Sequence, residues 1–370
     1  MSDLLVVDLP AAPHGAGLEH GRQAGALIAA NVAVYFDRFQ REAQLSADEV
    51  RDRARRYLRV VEEREPTYVE TMRGVTDSSH VPLVDLAVLN MRYELIYSQY
   101  SAINQGKAVH VAGGCTAFAV TPEASADGHL WLGQNWDWFP EVHGLVMRVR
   151  RDDGLTVAAF TEAGIVGGKI GMNSAGLGLV INGLLSNRDD WARLHLPFHV
   201  RTWRMLHSSS LAEAVAVVTR EERSCSANFL LGQANGHAEV VDVEAAPHAA
   251  CTLRPTGGVL VHTNHFYDPE ALDIWQPLDE ETTSTYNRAA RMKHLLDLGR
   301  RAGTLHATGL MDILRDHVGY PDSICRHPNP AFPDEERLET VVSVLEDLTS
   351  RRMYVAAGPS CRSSYQEIAL

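Results

Sequence analysis

The chain has 370 residues, 45% of them hydrophobic and 22% charged, enough to close a full core in one large domain or two ordinary ones and too apolar for a disordered polymer. Its formal charge of −13, from 47 acidic against 34 basic residues with no basic cluster, excludes nucleic acid as a partner, because a phosphate backbone is held by concentrated Lys and Arg. The 5 cysteines are far apart with no C-x-x-C pair, Met1-Ser2-Asp3 does not open a basic-then-apolar leader, and no apolar run reaches membrane-spanning length, so a reduced, cytoplasmic protein with no membrane partner is expected.

Residues 17 to 110 read as mostly helical. Ala24 to Val34 is an alanine-rich apolar run, and Ser46-Ala47-Asp48-Glu49 has the form of a capping box. Pro66 and Pro82 stand where helices can begin, and Val81 to Tyr97 gives another amphipathic run. From Cys115 the period changes. Thr116–Val120, Leu130–Gln134, Gly144–Arg150, Thr156–Thr161, Ile170–Asn173 and Leu177–Asn182 are short and rich in Val, Leu and Phe, with Asp127-Gly128 and Asp153-Gly154 as turns. Helices are expected at Pro197–Leu206 and Leu211–Thr219. Strands return at Ala227–Leu231, Ala238–Val243 and Val259–His262. The last third is helical at Ser284–Leu298 and Thr308–His317, then closes with strands Val341–Leu345 and Met353–Ala357. The order fits an α+β fold of two largely antiparallel sheets with helices outside.

Cys115 is the residue with the most chemical potential, in Val111-Ala112-Gly113-Gly114-Cys115-Thr116. Gly113 and Gly114 remove side chains on the acyl side and allow strained dihedrals, so the thiol can reach the preceding carbonyl for an N-to-S acyl shift. If the Gly114-Cys115 bond is cut, thiol and freed α-amine share one residue, pairing nucleophile with base. The competing reading of a buried cysteine is a small hydrophobe. Asp137, flanked by Trp136 and Trp138, fits a shielded carboxylate orienting that amine, and equally an Asn135-x-Asp137 turn cap.

In His262-Thr263-Asn264-His265 the histidines lack the surroundings of a zinc motif, and no metal is expected. The Asn264 amide suits a developing oxyanion because it does not titrate, although a structural turn would use it too. Arg288 and Arg326 each offer a planar fork for a substrate carboxylate or for an ordinary ion pair. The glycines from Gly164 to Gly176 lack the strand, phosphate turn and long helix of a dinucleotide site, so no nucleotide cofactor is expected.

Gly114-Cys115-Thr116, Gly133-Gln134-Asn135-Trp136-Asp137, Phe160-Thr161-Glu162-Ala163-Gly164-Ile165, Asn173-Ser174-Ala175-Gly176, Asn235-Gly236-His237, His262-Thr263-Asn264-His265 and Ser323-Ile324-Cys325-Arg326 follow one another in an order that resembles the acyl-coenzyme A:6-aminopenicillanic acid acyltransferase family of N-terminal-nucleophile hydrolases. The resemblance implies a four-layer αββα sandwich and self-cleavage before Cys115. Residues 1–114 would form a helical small subunit and 115–370 the catalytic large one, associated as a heterodimer. It assigns the nucleophile to Cys115, orientation and charge support to Asp137, oxyanion stabilisation to Asn264, a pocket-lining aromatic to Phe229, and processing or substrate handling to Arg326. Ala246 stands where the penicillin-forming enzyme has a serine, which argues against a penicillin nucleus as substrate. The expected activity is hydrolysis of a small N-acylated amine or amino-acid derivative through an acyl-cysteine. The alternatives are acyl transfer with acyl-coenzyme A as a substrate, and an uncleaved binding protein without catalysis.

Overall fold

The computed structural model describes residues 4–103, 114–278 and 284–370. In chain order, strand β1 (Val6–Leu9) leads into helices α1 (Pro13–Glu42), α2 (Ala47–Arg64), α3 (Pro66–Ser79), α4 (Leu83–Asn90) and α5 (Arg92–Ile103). Strands β2 (Gly114–Val120), β3 (Trp131–Trp138), β4 (Gly144–Arg150), β5 (Thr156–Glu162), β6 (Ile170–Asn173) and β7 (Leu177–Gly183) precede α6 (Phe198–Leu206) and α7 (Leu211–Thr219). Then come β8 (Ala227–Asn235), β9 (His237–Ala245), β10 (Ala250–Leu253), β11 (Val259–His262), α8 (Ser284–Ala302), α9 (Ala307–Leu314), β12 (Glu339–Asp347), β13 (Arg352–Ala357) and β14 (Gln366–Ala369).

The strands form two sheets. One runs β1-β4-β5-β6-β7-β8-β9-β10 and the other β11-β2-β3-β12-β13-β14. Their pairs are antiparallel except β1 with β4. Helices α6 and α7 pack on the eight-stranded sheet, α8 and α9 on the six-stranded one, and β2 and β3 face β7 across the middle. This is the four-layer αββα sandwich.

Local chemistry explains the helix starts. Ser46 accepts from the Glu49 N–H while the Glu49 carboxylate accepts from the Ser46 N–H, closing the expected capping box on α2. Pro66 occupies the first turn of α3, where its missing N–H costs nothing. Helices α1 and α3 cross almost backbone to backbone. A Cβ on Gly17 would lie 2.0 Å from the Thr71 carbonyl oxygen, and one on Gly74 2.1 Å from that of His14.

Three expectations change. Ahead of the residues read as helical, the segment before Cys115 also contributes β1, an edge strand with Asp8 exposed that pairs with β4. The Val81–Tyr97 run is two helices divided at Met91 and has no wet face, because Asp85 through Tyr97 are buried throughout. Asn135 and Asp137 do not cap a turn; both lie within β3.

The early helices are tied to the eight-stranded sheet by one carboxylate. Glu162 on β5 accepts from Arg92 (Nε to Oε2, 2.9 Å), from the Tyr35 hydroxyl at 2.5 Å and from Lys169 Nζ at 2.6 Å. Arg92, Glu162 and Lys169 are all at most 2% exposed. Although burial opposes its charge, Arg92 and Lys169 hold the Glu162 carboxyl well below the usual range. Removing a partner from a buried ionic cluster strands the others. Glu162→Gln should therefore cost about 3–5 kcal/mol in urea unfolding, and a loss under about 1 kcal/mol would show that the cluster does not hold the layers together.

Candidate active site

The site lies where β2 begins. Strand alternation sends successive side chains to opposite faces. Cys115, Ala117 and Ala119 join the apolar cluster between the sheets, whereas Phe118 and Val120 join the cluster beneath α8 and α9. Neighbouring β3 alternates likewise: Trp136 and Trp138 face inward, so Asp137 points toward the α8 and α9 side. In the register, Gly114 pairs with Asp137 and Cys115 with Trp136. The Gly114–Cys115 peptide bond thus straddles the sheet, its acyl residue beside Asp137 and its thiol residue in the space between the sheets.

On the acyl side there is no room for a side chain. A Cβ on Gly114 would lie 2.6 Å from both Asp137 Oδ2 and Arg326 Nη1. Asp137 is fully buried, and its Oδ1 accepts from the Thr340 hydroxyl at 2.7 Å. Among the described residues its Oδ2 has no hydrogen-bond partner; it stands 3.9 Å from Arg326 Nε, which likewise has none among them. The Arg326 side chain is held instead through Nη2, to Ser284 Oγ at 2.8 Å and Asp322 Oδ1 at 3.0 Å. Burial raises the Asp137 carboxyl to about 6 against the pull of Arg326 and Arg288.

The bond itself is gripped on its amine side. The Cys115 N–H donates to Asn264 Oδ1 at 2.7 Å, and the Cys115 carbonyl accepts from Arg288 Nη1 at 2.6 Å. Arg288 also donates to Thr116 Oγ1 at 3.0 Å and to Asn264 Oδ1 at 3.0 Å. Asn264 in turn donates from Nδ2 to the Gly183 carbonyl at 3.0 Å, and its own N–H donates to Thr285 Oγ1 at 2.8 Å. Burial lowers Arg288 to about 10, with Arg326 pushing the same way.

The structure therefore brings Gly114, Cys115, Asp137, Asn264, Arg288 and Arg326 together. Phe229 is set apart from this group. It is 1% exposed on β8, at the end of an aromatic column in which Tyr97 stacks on Tyr93 (4.0 Å), Tyr93 on Phe198 (4.2 Å) and Phe198 on Phe229 (5.5 Å). The other end of the column reaches the site, since Tyr97 Oη would lie 2.1 Å from a Cβ on Gly183. His262, weighed above as a ligand, donates from Nε2 to Glu244 Oε1 at 2.8 Å and sits in a buried ionic contact. His265 lies 3.0 Å from the Thr285 hydroxyl.

Sequence reasoning missed Lys169. Its Nζ sits 3.4 Å from the centre of the Trp136 ring, directly beside the position of Cys115, and shares Glu162 with Arg92. Two cations thus divide one carboxylate. Burial lowers Lys169 to about 7, with Glu162 and the Cys115 sulfur opposing the shift. Burial also raises the Cys115 thiol and Asp137 adds to the rise, whereas Lys169, Arg288 and the Gly183 N–H favour the thiolate. The signal was one cation entering the apolar strand Ile170-Gly171-Met172, within a glycine-rich stretch weighed only as a nucleotide loop.

A cysteine heading an inner strand of an αββα sandwich, its amide held by Asn264 and Arg288 and its neighbour packed on Asp137, belongs to the N-terminal-nucleophile class of acyl-amide-processing enzymes. Residues 124–360 match the model of the acyl-coenzyme A:6-aminopenicillanic acid acyl-transferase family, and the chain belongs to that family. It is 28% identical over 370 residues to the 40 kDa form of acyl-coenzyme A:6-aminopenicillanic-acid-acyltransferase from Emericella nidulans, covering 96% of this chain and 93% of that one. Among solved structures it is similar to penicillin V acylase from Agrobacterium tumefaciens (TM-score 0.47, 12% identity, 69% of this chain and 86% of that). It is also similar to an N-acylethanolamine-hydrolyzing acid amidase ortholog from Caenorhabditis elegans (TM-score 0.43, 15% identity, 64% and 93%).

If Lys169 supports the thiolate, Lys169→Met should raise the Cys115 thiol pKa by roughly one unit or more, as loss of a nearby opposite charge does. The pH profile of iodoacetamide alkylation at Cys115, read by peptide mass, should move upward. An unmoved profile would remove Lys169 from the chemistry.

Proposed function

We propose that this chain is a self-processing cysteine amidohydrolase that cleaves a small N-acylated amine or amino-acid derivative through an acyl-cysteine. The observation that carries the reading is the clamp around Cys115: its N–H, in the bond to Gly114, on Asn264, and its carbonyl, in the next peptide bond, on Arg288, with Gly114 pressed against Asp137 and Arg326.

In processing, the Cys115 sulfur attacks the Gly114 carbonyl carbon. The C–N bond breaks, the nitrogen takes a proton to become the Cys115 amine, and the acyl group passes to sulfur as a thioester. Water then hydrolyses the thioester, giving the Gly114 carboxylate and restoring the thiol. Departure of Gly114 uncovers Asp137 to the new amine. In turnover that amine takes the thiol proton, sulfur attacks the substrate carbonyl, and Asp137 supports the resulting ammonium. Asn264 begins as an acceptor for the amide N–H. After scission its Nδ2 and the Gly183 N–H are the donors available to a tetrahedral oxyanion.

The Tyr97 ring beside Gly183, with Tyr93 stacked behind it and Phe229 at the far end of the column, favours an apolar acyl group. Arg326, whose Nε is unpartnered, is the better candidate for a substrate carboxylate, because three atoms around Cys115 already engage Arg288. The Emericella relative's name favours a second reading, in which an amine replaces water and acyl-coenzyme A is the donor. Assays with amide and acyl-coenzyme A donors, each with and without an added amine, separate the two.

Intact mass should show two pieces, 1–114 and 115–370, while Cys115→Ala stays whole and forms no acyl adduct. An active preparation consisting only of the uncut chain would overturn this account. The Asp137 carboxyl, raised to about 6, must be ionised to support the ammonium, so turnover should fall as pH drops through about 6. Asp137→Asn in a processed preparation should lose roughly 10²-fold in kcat and that acid limb with it. Retention of both would refute the role of Asp137.

A further inference from the structure

Outside this site, His317, Cys325, His327 and Cys361 direct one ligand atom each to a single point, all four atoms lying within 4.8 Å of one another. His317 follows α9, Cys325 and His327 flank Arg326 in the loop before β12, and Cys361 lies between β13 and β14. The His327 Nε2 atom is 3.1 Å from His317 Nε2, 3.4 Å from Cys361 Sγ and 3.8 Å from Cys325 Sγ. Hydrogen bonding does not account for this convergence. An imidazole nitrogen offers one proton or one lone pair, and three neighbours cannot share it.

A tetrahedral cation does account for it. With Zn–N near 2.05 Å and Zn–S near 2.3 Å, the edges of the tetrahedron are about 3.3 Å between nitrogens and about 3.6 Å between nitrogen and sulfur. The three separations from His327 Nε2 straddle those lengths, and the remaining ligand atoms, within 4.8 Å of one another, need close in only modestly around an ion.

We propose that these four residues form a structural Cys2His2 site for a thiophilic divalent cation of the zinc type. The sequence led to the opposite expectation because its spacing, His-x7-Cys-x-His with the last ligand one hairpin further on, matches no compact zinc motif. On binding, both thiols lose their protons to solvent and the imidazoles bind as neutral rings, so four protein ligands close the coordination sphere.

The site joins segments that also meet through hydrogen bonds, among them the Cys325 N–H to the Asp316 carbonyl at 3.0 Å and Arg315 Nε to the Ser360 carbonyl at 3.1 Å. Asn135 Nδ2 on β3 donates to the carbonyls of Leu314 and Ile324, both at 2.8 Å, and Ser360 Oγ donates to the Leu314 carbonyl at 2.9 Å. Cys325 and His327 are the chain neighbours of Arg326. A cation here pins both sides of the arginine that faces Gly114 and Asp137, and so acts on the reacting bond by position alone.

Metal analysis of the full-length purified chain should find about one zinc per chain, retained through gel filtration without chelator. After its removal, cobalt(II) should restore one equivalent with the visible bands of a tetrahedral thiolate site. His317→Ala and Cys361→Ser, each at an exposed position, should weaken metal retention at least about tenfold while the far-ultraviolet spectrum stays native. Peptide mapping under non-reducing conditions provides the counter-test. A Cys325–Cys361 disulfide, a wild-type chain that takes up neither metal, or variants that retain metal as wild type does would each overturn the site.

Discussion

The chemistry depends on the two-residue period of β2 at its first peptide bond. Because side chains alternate across a strand, the bond between Gly114 and Cys115 has its acyl residue against Asp137 and Arg326 and its thiol residue against Trp136 and Lys169. Neither layer could serve both ends. The helix layer supplies Arg288 from α8, and the eight-stranded sheet supplies Lys169 and Gly183. Glycine at 114 fits this position because a Cβ would overlap Asp137 Oδ2 and Arg326 Nη1 unless those side chains shifted.

Charge is distributed to match. Between the sheets, Arg92 and Lys169 share Glu162; burial weakens the Lys169 charge and keeps the Cys115 thiol protonated, and each group opposes that shift in the other. On the opposite face, Arg288 and Arg326 stand against Asp137 and Asp322, and the Asp137 carboxyl is raised because its surroundings are dry. A buried ion without full pairing is costly, and such groups persist where a reaction uses them. The unpartnered Asp137 Oδ2 and Arg326 Nε meet that description and face the residue whose carbonyl would be attacked.

Local signals were legible where one residue type decides a local conformation. The Ser46 box, Pro66, and the strands Gly144–Arg150, Ile170–Asn173 and Val259–His262 follow from caps, glycine turns and apolar runs. Edge strands β1, β10 and β14 were not legible: each has exposed positions that interrupt its apolar pattern, whereas the equally short β6 and β11 are buried throughout. Among site residues, Cys115, Asp137 and Asn264 stand in motifs that localise them. The role of Arg288 as a clamp on the Cys115 carbonyl depends on the register of α8 against β2, and Lys169 becomes visible only when the sheets stack. The His317 cluster was hidden for the same reason: its ligands converge through a loop and a hairpin, with no local spacing to announce them.

The same stacking bears on what a cut at Gly114 would do. The segment before Cys115 contributes β1, paired with β4 over Val6 to Leu9, and α1, whose Asn31 donates to the carbonyls of His143 and Ala163 at 2.9 Å. From α5, Arg92 reaches Glu162 and the Tyr93 hydroxyl donates to the Ser226 carbonyl at 2.6 Å. These contacts connect the segment to residues after Cys115 without using the Gly114–Cys115 bond. Scission would remove one covalent link and leave every layer of the sandwich with its partner. Pulling the two segments apart would break an edge-strand pairing and strand a buried carboxylate, so these contacts oppose separation whether or not the bond is intact.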